Sequence, residues 1–181
     1  MSRRVARPYA VALFEVTQRE GIPALREIER HLASVSELFQ HAPELLRVFE
    51  VPSVAPTAKR ELVSTIAQTL SLRPEAQRML IALEHHVRMR YLGEVVAFFR
   101  ELVDRKEGIV RGRVEVPSRP DAEQVTALER ALAGVLGTRI ELDVKVREEL
   151  LAGFIVRVGS RVFDGSLLAQ VRRFAASAAG E

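Results

Sequence analysis

The sequence predicts a mainly helical α+β protein: an N-terminal antiparallel bundle of about six helices over residues 1–106, then a small α+β domain with a short sheet and a hairpin over residues 107–181. Three observations predict it. Apolar residues recur every three or four positions through the first hundred residues, which is the period of a helix face. From Gly108 the apolar period falls to two, as on a half-buried strand. The helical runs are separated only by short segments marked by Pro, Gly or Ser, and short connections make successive helices antiparallel neighbours.

The elements follow in order. After Gly21, residues Ile22, Leu25, Ile28, Leu32, Val35, Leu38 and Phe39 make one helix face. Pro23 sits in its first turn, where a missing N–H costs little. Pro43 opens a short segment with Leu45, Leu46, Val48 and Phe49, and residues 51–56, with two prolines, read as a loop. Leu62, Val63, Ile66, Ala67 and Leu70 give the next face. Ser71 and Pro74 mark a fifth helix with Met79, Leu80, Leu83 and Val87 inside; Leu92, Val95, Val96, Phe99, Leu102 and Val103 make the sixth. Beyond it, Val110, Val114 and Val116 predict a strand broken by Gly112 and stopped by Pro117. A helix follows with Val125, Leu128, Leu132 and Val135 inside and Gly137 at its end. Ile140, Leu142, Val144 and Val146 alternate with charged residues, giving a strand with one dry and one wet face. Gly159-Ser160 between Phe154-to-Val158 and Arg161-Val162-Phe163 suits a two-residue type II′ hairpin. Asp164-Gly165-Ser166 supplies a turn and a helix cap before Leu167, Leu168, Val171 and Phe174.

Composition narrows the function. With no cysteine there is no disulfide framework, thiolate zinc site or cysteine nucleophile. No apolar run approaches a membrane span, and no secretory signal precedes the first helix, so the expectation is a soluble intracellular protein without direct membrane insertion. The net charge is +3, carried by residues 1–106 (16 basic, 13 acidic), with 0 on the rest (11 and 11). Neither half has the strongly basic field of a nucleic-acid binder.

The search for chemistry finds little. There is no phosphate-cradling glycine motif and no cofactor motif. His85 and His86 are adjacent and point to different sides of a helix, so no metal site is expected. Asp164 and Ser166 resemble a nucleophile pair, but the second domain has no histidine to act as base, and D-G-S before a helix is capping chemistry. Glu148-Glu149 reads as solvated charge. Arg3-Arg4, Arg88 with Arg90, and Arg172-Arg173 could touch phosphate, but no aromatic residues interleave for base stacking. An arginine-rich nucleic-acid-binding module and a small hydrolase using Asp164 are the rival classes.

One helix carries too much apolar surface. Tyr9, Ala10, Val11, Ala12, Leu13 and Phe14 cover a full helical circumference, whereas a surface helix needs one stripe. Either this helix is central, or something outside the chain covers it; periodicity leaves the two level. Arg78, Ala82 and His85 share a face of the fifth helix opposite Met79, Leu80 and Leu83. A groove between the two helices could accept an amphipathic partner helix.

Two motifs resemble a known family. Val5-Ala6-Arg7-Pro8-Tyr9-Ala10 with Ala12, Leu13 and Phe14 resembles the opening of the delta (OSCP) subunits of F-type ATP synthases. Near the other end, Gly153, five residues, Gly159, four residues and Asp164-Gly165-Ser166 resemble that family's C-terminal signature. Ala152-Gly153 stands where many members have Gly-Gly, and Val171 where many have leucine. The resemblance implies a non-catalytic stator subunit with no cofactor. Its first domain would bind the N-terminal helix of an alpha subunit between the first and fifth helices, at Tyr9, Ala12, Leu13, Arg78 and Ala82, with beta subunits nearby. Its second domain would bind the peripheral-stalk b subunits, with Gly153, Gly159, Asp164, Gly165 and Ser166 as fold determinants and direct contacts on the last helix. The implied location is the cytoplasmic face of a bacterial inner membrane, since no transit-like leader precedes Val5.

Overall fold

The computed structural model describes residues 2–150 and 152–166. The chain divides into two compact units, the first ending at Glu107 and the second beginning at Gly108. The first unit holds α1 (Ser2–Thr17), α2 (Ile22–His41), α3 (Pro43–Glu50), α4 (Pro56–Thr69), α5 (Pro74–His85) and α6 (Leu92–Glu107), with short 3-10 turns at Gln18–Glu20 and Met89–Tyr91. Proline occupies the first turn of α2, α3, α4 and α5, where its fixed φ favours the helix and its missing N–H has no intrahelical partner to lose. The core gathers Ala6, Ala10 and Leu13 of α1, Leu25, Ile28, Leu32 and Val35 of α2, Leu80 and Leu83 of α5, and Val95, Phe99 and Val103 of α6. Helix α1 packs chiefly along α6, so the first and last helices of the bundle close it.

Helix α5 stops earlier than its pattern suggests. It ends at His85, and Val87 is 56% exposed with φ 54 rather than on the core face. Val87 N–H donates to the Glu84 carbonyl at 2.9 Å and Arg88 N–H to the Leu83 carbonyl at 2.8 Å. This is a Schellman closure with a β-branched residue at the left-handed position that glycine normally fills. Leu83 satisfies the core period; one turn later the chain has already turned away.

A cluster of charge lies inside the first unit. Arg26 of α2 donates to Glu29 at 2.7 Å, Asp104 at 2.6 Å and Glu107 at 2.7 Å, and Arg100 donates to the other oxygen of Glu29. Glu29 and Asp104 are buried. Burial works to lower the pKa of Arg26, but the hydrogen bonds to the three carboxylates outweigh it and hold the guanidinium more firmly protonated than usual.

The second unit is a four-stranded sheet in the order β2-β1-β3-β4, built from β1 (Ile109–Val116), β2 (Arg139–Val146), β3 (Ile155–Val158) and β4 (Arg161–Asp164), with α7 (Ala122–Leu136) crossing between β1 and β2. The crossover makes β1 and β2 parallel; β3 and β4 pair antiparallel. Asp121 caps α7, accepting from Gln124 N–H at 2.7 Å while the Gln124 side chain accepts from Asp121 N–H at 3.2 Å. Val158 opposite Arg161 leaves Gly159-Ser160 as the two-residue connection, with φ 58 at Gly159 only, as a type II′ hairpin requires.

Three expectations are corrected here. Gly112 does not break β1: the strand runs through it, and a Cβ there would stand 2.7 Å from Val158 Cγ2 and 2.9 Å from Leu142 Cδ2. The glycine therefore marks close packing of three strands. Val135 is 72% exposed, because the inward row of α7 runs Val125, Leu128, Leu132, Leu136 and leaves Val135 on its flank. The dry face of β2 holds only for Ile140 and Leu142; Val144 and Val146 lie exposed on the later half of this edge strand.

Candidate functional site

Helix α1 turns Ala6, Ala10, Leu13 and Thr17 inward, at spacings of four, three and four. Thr17 Oγ1 closes the helix end by donating to the Leu13 carbonyl at 2.7 Å. The buried alanines let α6 lie close. Ala12 falls outside this stripe and is exposed, and Val16, one turn further, is 69% exposed.

Beside them lies α5. Ala12, Leu13 and Val16 of α1 face Glu75, Arg78, Met79 and Ala82 of α5 across an open groove of about 320 Å³. The structure thus brings together four of the five residues singled out for partner binding: Ala12, Leu13, Arg78 and Ala82. Tyr9 stands beyond the end of the groove instead. Its ring meets the edge of His86 at 6.3 Å, and its hydroxyl accepts from Arg88 at 3.0 Å. His85 does not line the groove, and Met79 belongs to its floor while also packing in the core, so the division of α5 into two opposite faces is too sharp. Val16 escaped the sequence reading, although it follows Ala12 at a spacing of four, and Met79 was read there only as a core residue.

One end of the groove is charged. Arg78 donates to Glu75 at 2.7 Å, and Arg73 donates to the other oxygen of Glu75 at 3.1 Å while also binding Glu27 and Glu20. Burial pushes the Glu75 carboxyl upward, but a backbone N–H at the helix start and the two guanidiniums outweigh it and hold it below the usual carboxylate range. The ion pairs gather at that end, leaving the remaining wall to Ala12, Leu13, Val16, Met79 and Ala82. Burying a side chain of valine or leucine size contributes about 1.5–3 kcal/mol, so an apolar stripe laid here would gain from each such contact.

In the second unit the glycine signature draws the end of the described chain onto the start of β3. Gly153 has φ 88, and a Cβ on it would stand 2.3 Å from the Gly165 carbonyl oxygen. Gly165 N–H donates to the Phe154 carbonyl at 2.9 Å, and Ser166 N–H to Asp164 Oδ1 at 3.0 Å. Asp164 thereby closes a turn over Ser166. Gly159 sits in the hairpin. The proposed final helix, with Val171, lies outside the described residues.

Among the described residues no three His, Cys, Asp or Glu side chains are grouped to hold a metal ion, and no helix is long and apolar enough to cross a membrane. His85 and His86 have their ring centroids 5.0 Å apart at the end of α5.

These features define a two-unit α+β chain carrying an open helix-sized groove and a glycine-tied sheet. The chain belongs to the ATP synthase delta (OSCP) subunit family, whose pattern it matches over residues 5–177. It is 30% identical over 177 residues to the ATP synthase subunit delta of Nitratidesulfovibrio vulgaris (strain DP4), covering 92% of this chain and 91% of that one. The corresponding subunit of Solidesulfovibrio magneticus is 32% identical over 168 residues with the same coverage. A chain of the Toxoplasma gondii mitochondrial ATP synthase hexamer shares the fold with a TM-score of 0.67 at 21% identity, covering 98% of this chain and 96% of that chain.

Proposed function

We propose that the chain is a non-catalytic stator subunit of a proton-translocating F-type ATP synthase, joining the alpha/beta catalytic head to the b subunits of the peripheral stalk. The N-terminal helix of an alpha subunit lies in the groove between α1 and α5, on Ala12, Leu13, Arg78 and Ala82, with Val16 and Met79 added and Tyr9 closing one end. The domain of residues 107–181 meets the b subunits. Beta subunits lie nearby, and the complex sits at the cytoplasmic face of a bacterial inner membrane without insertion of this chain.

The observation that carries this reading is the exposed Ala12–Val16 stripe facing Met79 and Ala82, in a chain of this family. A soluble bundle that worked alone would gain by placing polar side chains there. The work required is mechanical. Rotation of the central stalk drags on the head, and a holding contact resists that drag without an active site. A nanomolar contact is worth about −12 kcal/mol, and a helix in an apolar groove within an interface of standard size reaches it.

Affinity purification of the tagged full chain from its native cells tests the assignment. Recovery of alpha, beta and b subunits together is the expected result. Recovery of RNA or DNA with salt-sensitive affinity, and none of those subunits, would replace it with the nucleic-acid reading.

A further inference from the structure

Helix α1 has a second flank. On the side toward α6, a depression of about 380 Å³ is floored by Val11, Phe98 and Leu102 and rimmed by Arg4, Arg7, Glu101 and Arg105. The floor residues are half-buried and the four charged residues exposed. Other arginines of this unit are engaged: Arg26, Arg73, Arg78 and Arg100 all hold carboxylates. Arg4, Arg7 and Arg105 hold none among the described residues, and Glu101 does not neutralise them.

We propose that this groove docks a second helix, an acidic amphipathic segment of a partner chain. Its apolar stripe rests on Val11, Phe98 and Leu102, and its flanking carboxylates meet Arg4, Arg7 and Arg105. Charge complementarity selects this occupant. Three guanidiniums against one carboxylate repel a basic segment and steer an acidic one. The rim from Arg4 to Val11 runs two helical turns, about 10 Å, so the occupant presents apolar residues at i, i+3 or i+4, and i+7. A nucleic acid would use the arginines but not the floor, whose one aromatic ring, Phe98, packs against the bundle core instead of standing free for stacking. The proposal also accounts for the all-round apolar run of residues 9–14: one face fills the core, and each flank opens on its own groove.

The test is an anisotropy titration of the full chain with two designed helical peptides, one with a leucine stripe flanked by glutamates and one with lysines in their place. The glutamate peptide is expected to saturate and to bind at least tenfold tighter than its lysine twin, with affinity falling as salt rises. Arg7→Glu combined with Arg105→Glu, both at exposed sites, is expected to reverse that preference, while Ala12→Asp leaves it unchanged. The proposal is overturned by absence of saturable binding, by an unchanged preference in the double variant, by loss of binding in Ala12→Asp, or by tighter binding of a single-stranded oligonucleotide. No alpha-subunit peptide is used, so the result stands apart from the fate of the α1–α5 groove.

Discussion

Gly153 and Gly165 approach so closely that a single added methyl group on Gly153 would lie 2.3 Å from the Gly165 carbonyl oxygen. Space and backbone forbid a side chain together, since φ at Gly153 is 88. Gly153→Ala must therefore carry left-handed strain and push residues 165 and 166 off the β3 start. The expected cost is about 2–5 kcal/mol, combining strain with overpacking. Hydrogen exchange read by mass spectrometry should show lost protection in β1 to β4 and unchanged protection in α1 to α6. Full protection of both units in the variant would remove the signature's role as a fold determinant.

The groove on α1 makes a sharper prediction. Ala12→Asp places a charged carboxylate on the apolar wall of the groove without disturbing the core, because Ala12 is exposed. Titrated with the N-terminal peptide of the alpha subunit proposed as its partner, the variant should bind at least tenfold more weakly, a loss of about 1.4 kcal/mol. Its thermal midpoint should match that of the parent chain. Equal affinity for both chains would dismiss the α1–α5 groove as the docking site.

Arg26 joins α2 to both Asp104 and Glu107 near the end of α6. Arg26→Met leaves Asp104 buried without this guanidinium, while Glu29 keeps Arg100. Loss of one member of such a cluster costs about 2–4 kcal/mol once the exposure of Arg26 is allowed for. Arg26→Lys should restore less than half of it, because an ammonium cannot reproduce the fork that reaches three carboxylates. Urea unfolding of the two variants beside the parent chain measures both numbers.

Acid should weaken the second unit through Glu115. Hydrogen bonding from Arg147 lowers its pKa most; burial opposes, and the nearby charges of Arg157 and Arg147 lower it further. A carboxylate whose folded pKa lies below its ordinary value of 4.5 contributes stability that is complete above pH 4.5. That contribution disappears as pH falls through the lower folded value. In Glu115→Gln the decline in urea midpoint below pH 4.5 should be shallower than in the parent chain. Parallel declines would show that other carboxylates set the acid limit.

Much of this architecture was legible because it is periodic. The face of α2 from Ile22 to Phe39 and the alternation from Ile140 to Leu142 are direct records of what each element buries. Long-range partners leave no such record. Nothing in the neighbourhood of Arg26 announces Asp104, which is 78 residues away. Gly112 reads locally as a breaker, and only the side chains of Val158 and Leu142 on neighbouring strands explain it. Of the groove, Ala12 was visible as part of a surplus apolar run and Ala82 through the face it shares with Arg78. The surroundings of Tyr9 left no mark in the sequence, because a helical period gives direction but not the position of the neighbouring helix end, where His86 and Arg88 meet the ring.

The pairing of α1 with α6 also bears on how the chain is made. A ribosome adding roughly 5–20 residues per second releases the opening helix about 5–20 s before its main packing partner emerges. During that interval its buried alanines and Leu13 stay wet and open to chance encounters. Completion of the bundle is thereby delayed until the last helix has been synthesised, and a nascent chain truncated before Leu92 would depend on a chaperone to remain dispersed.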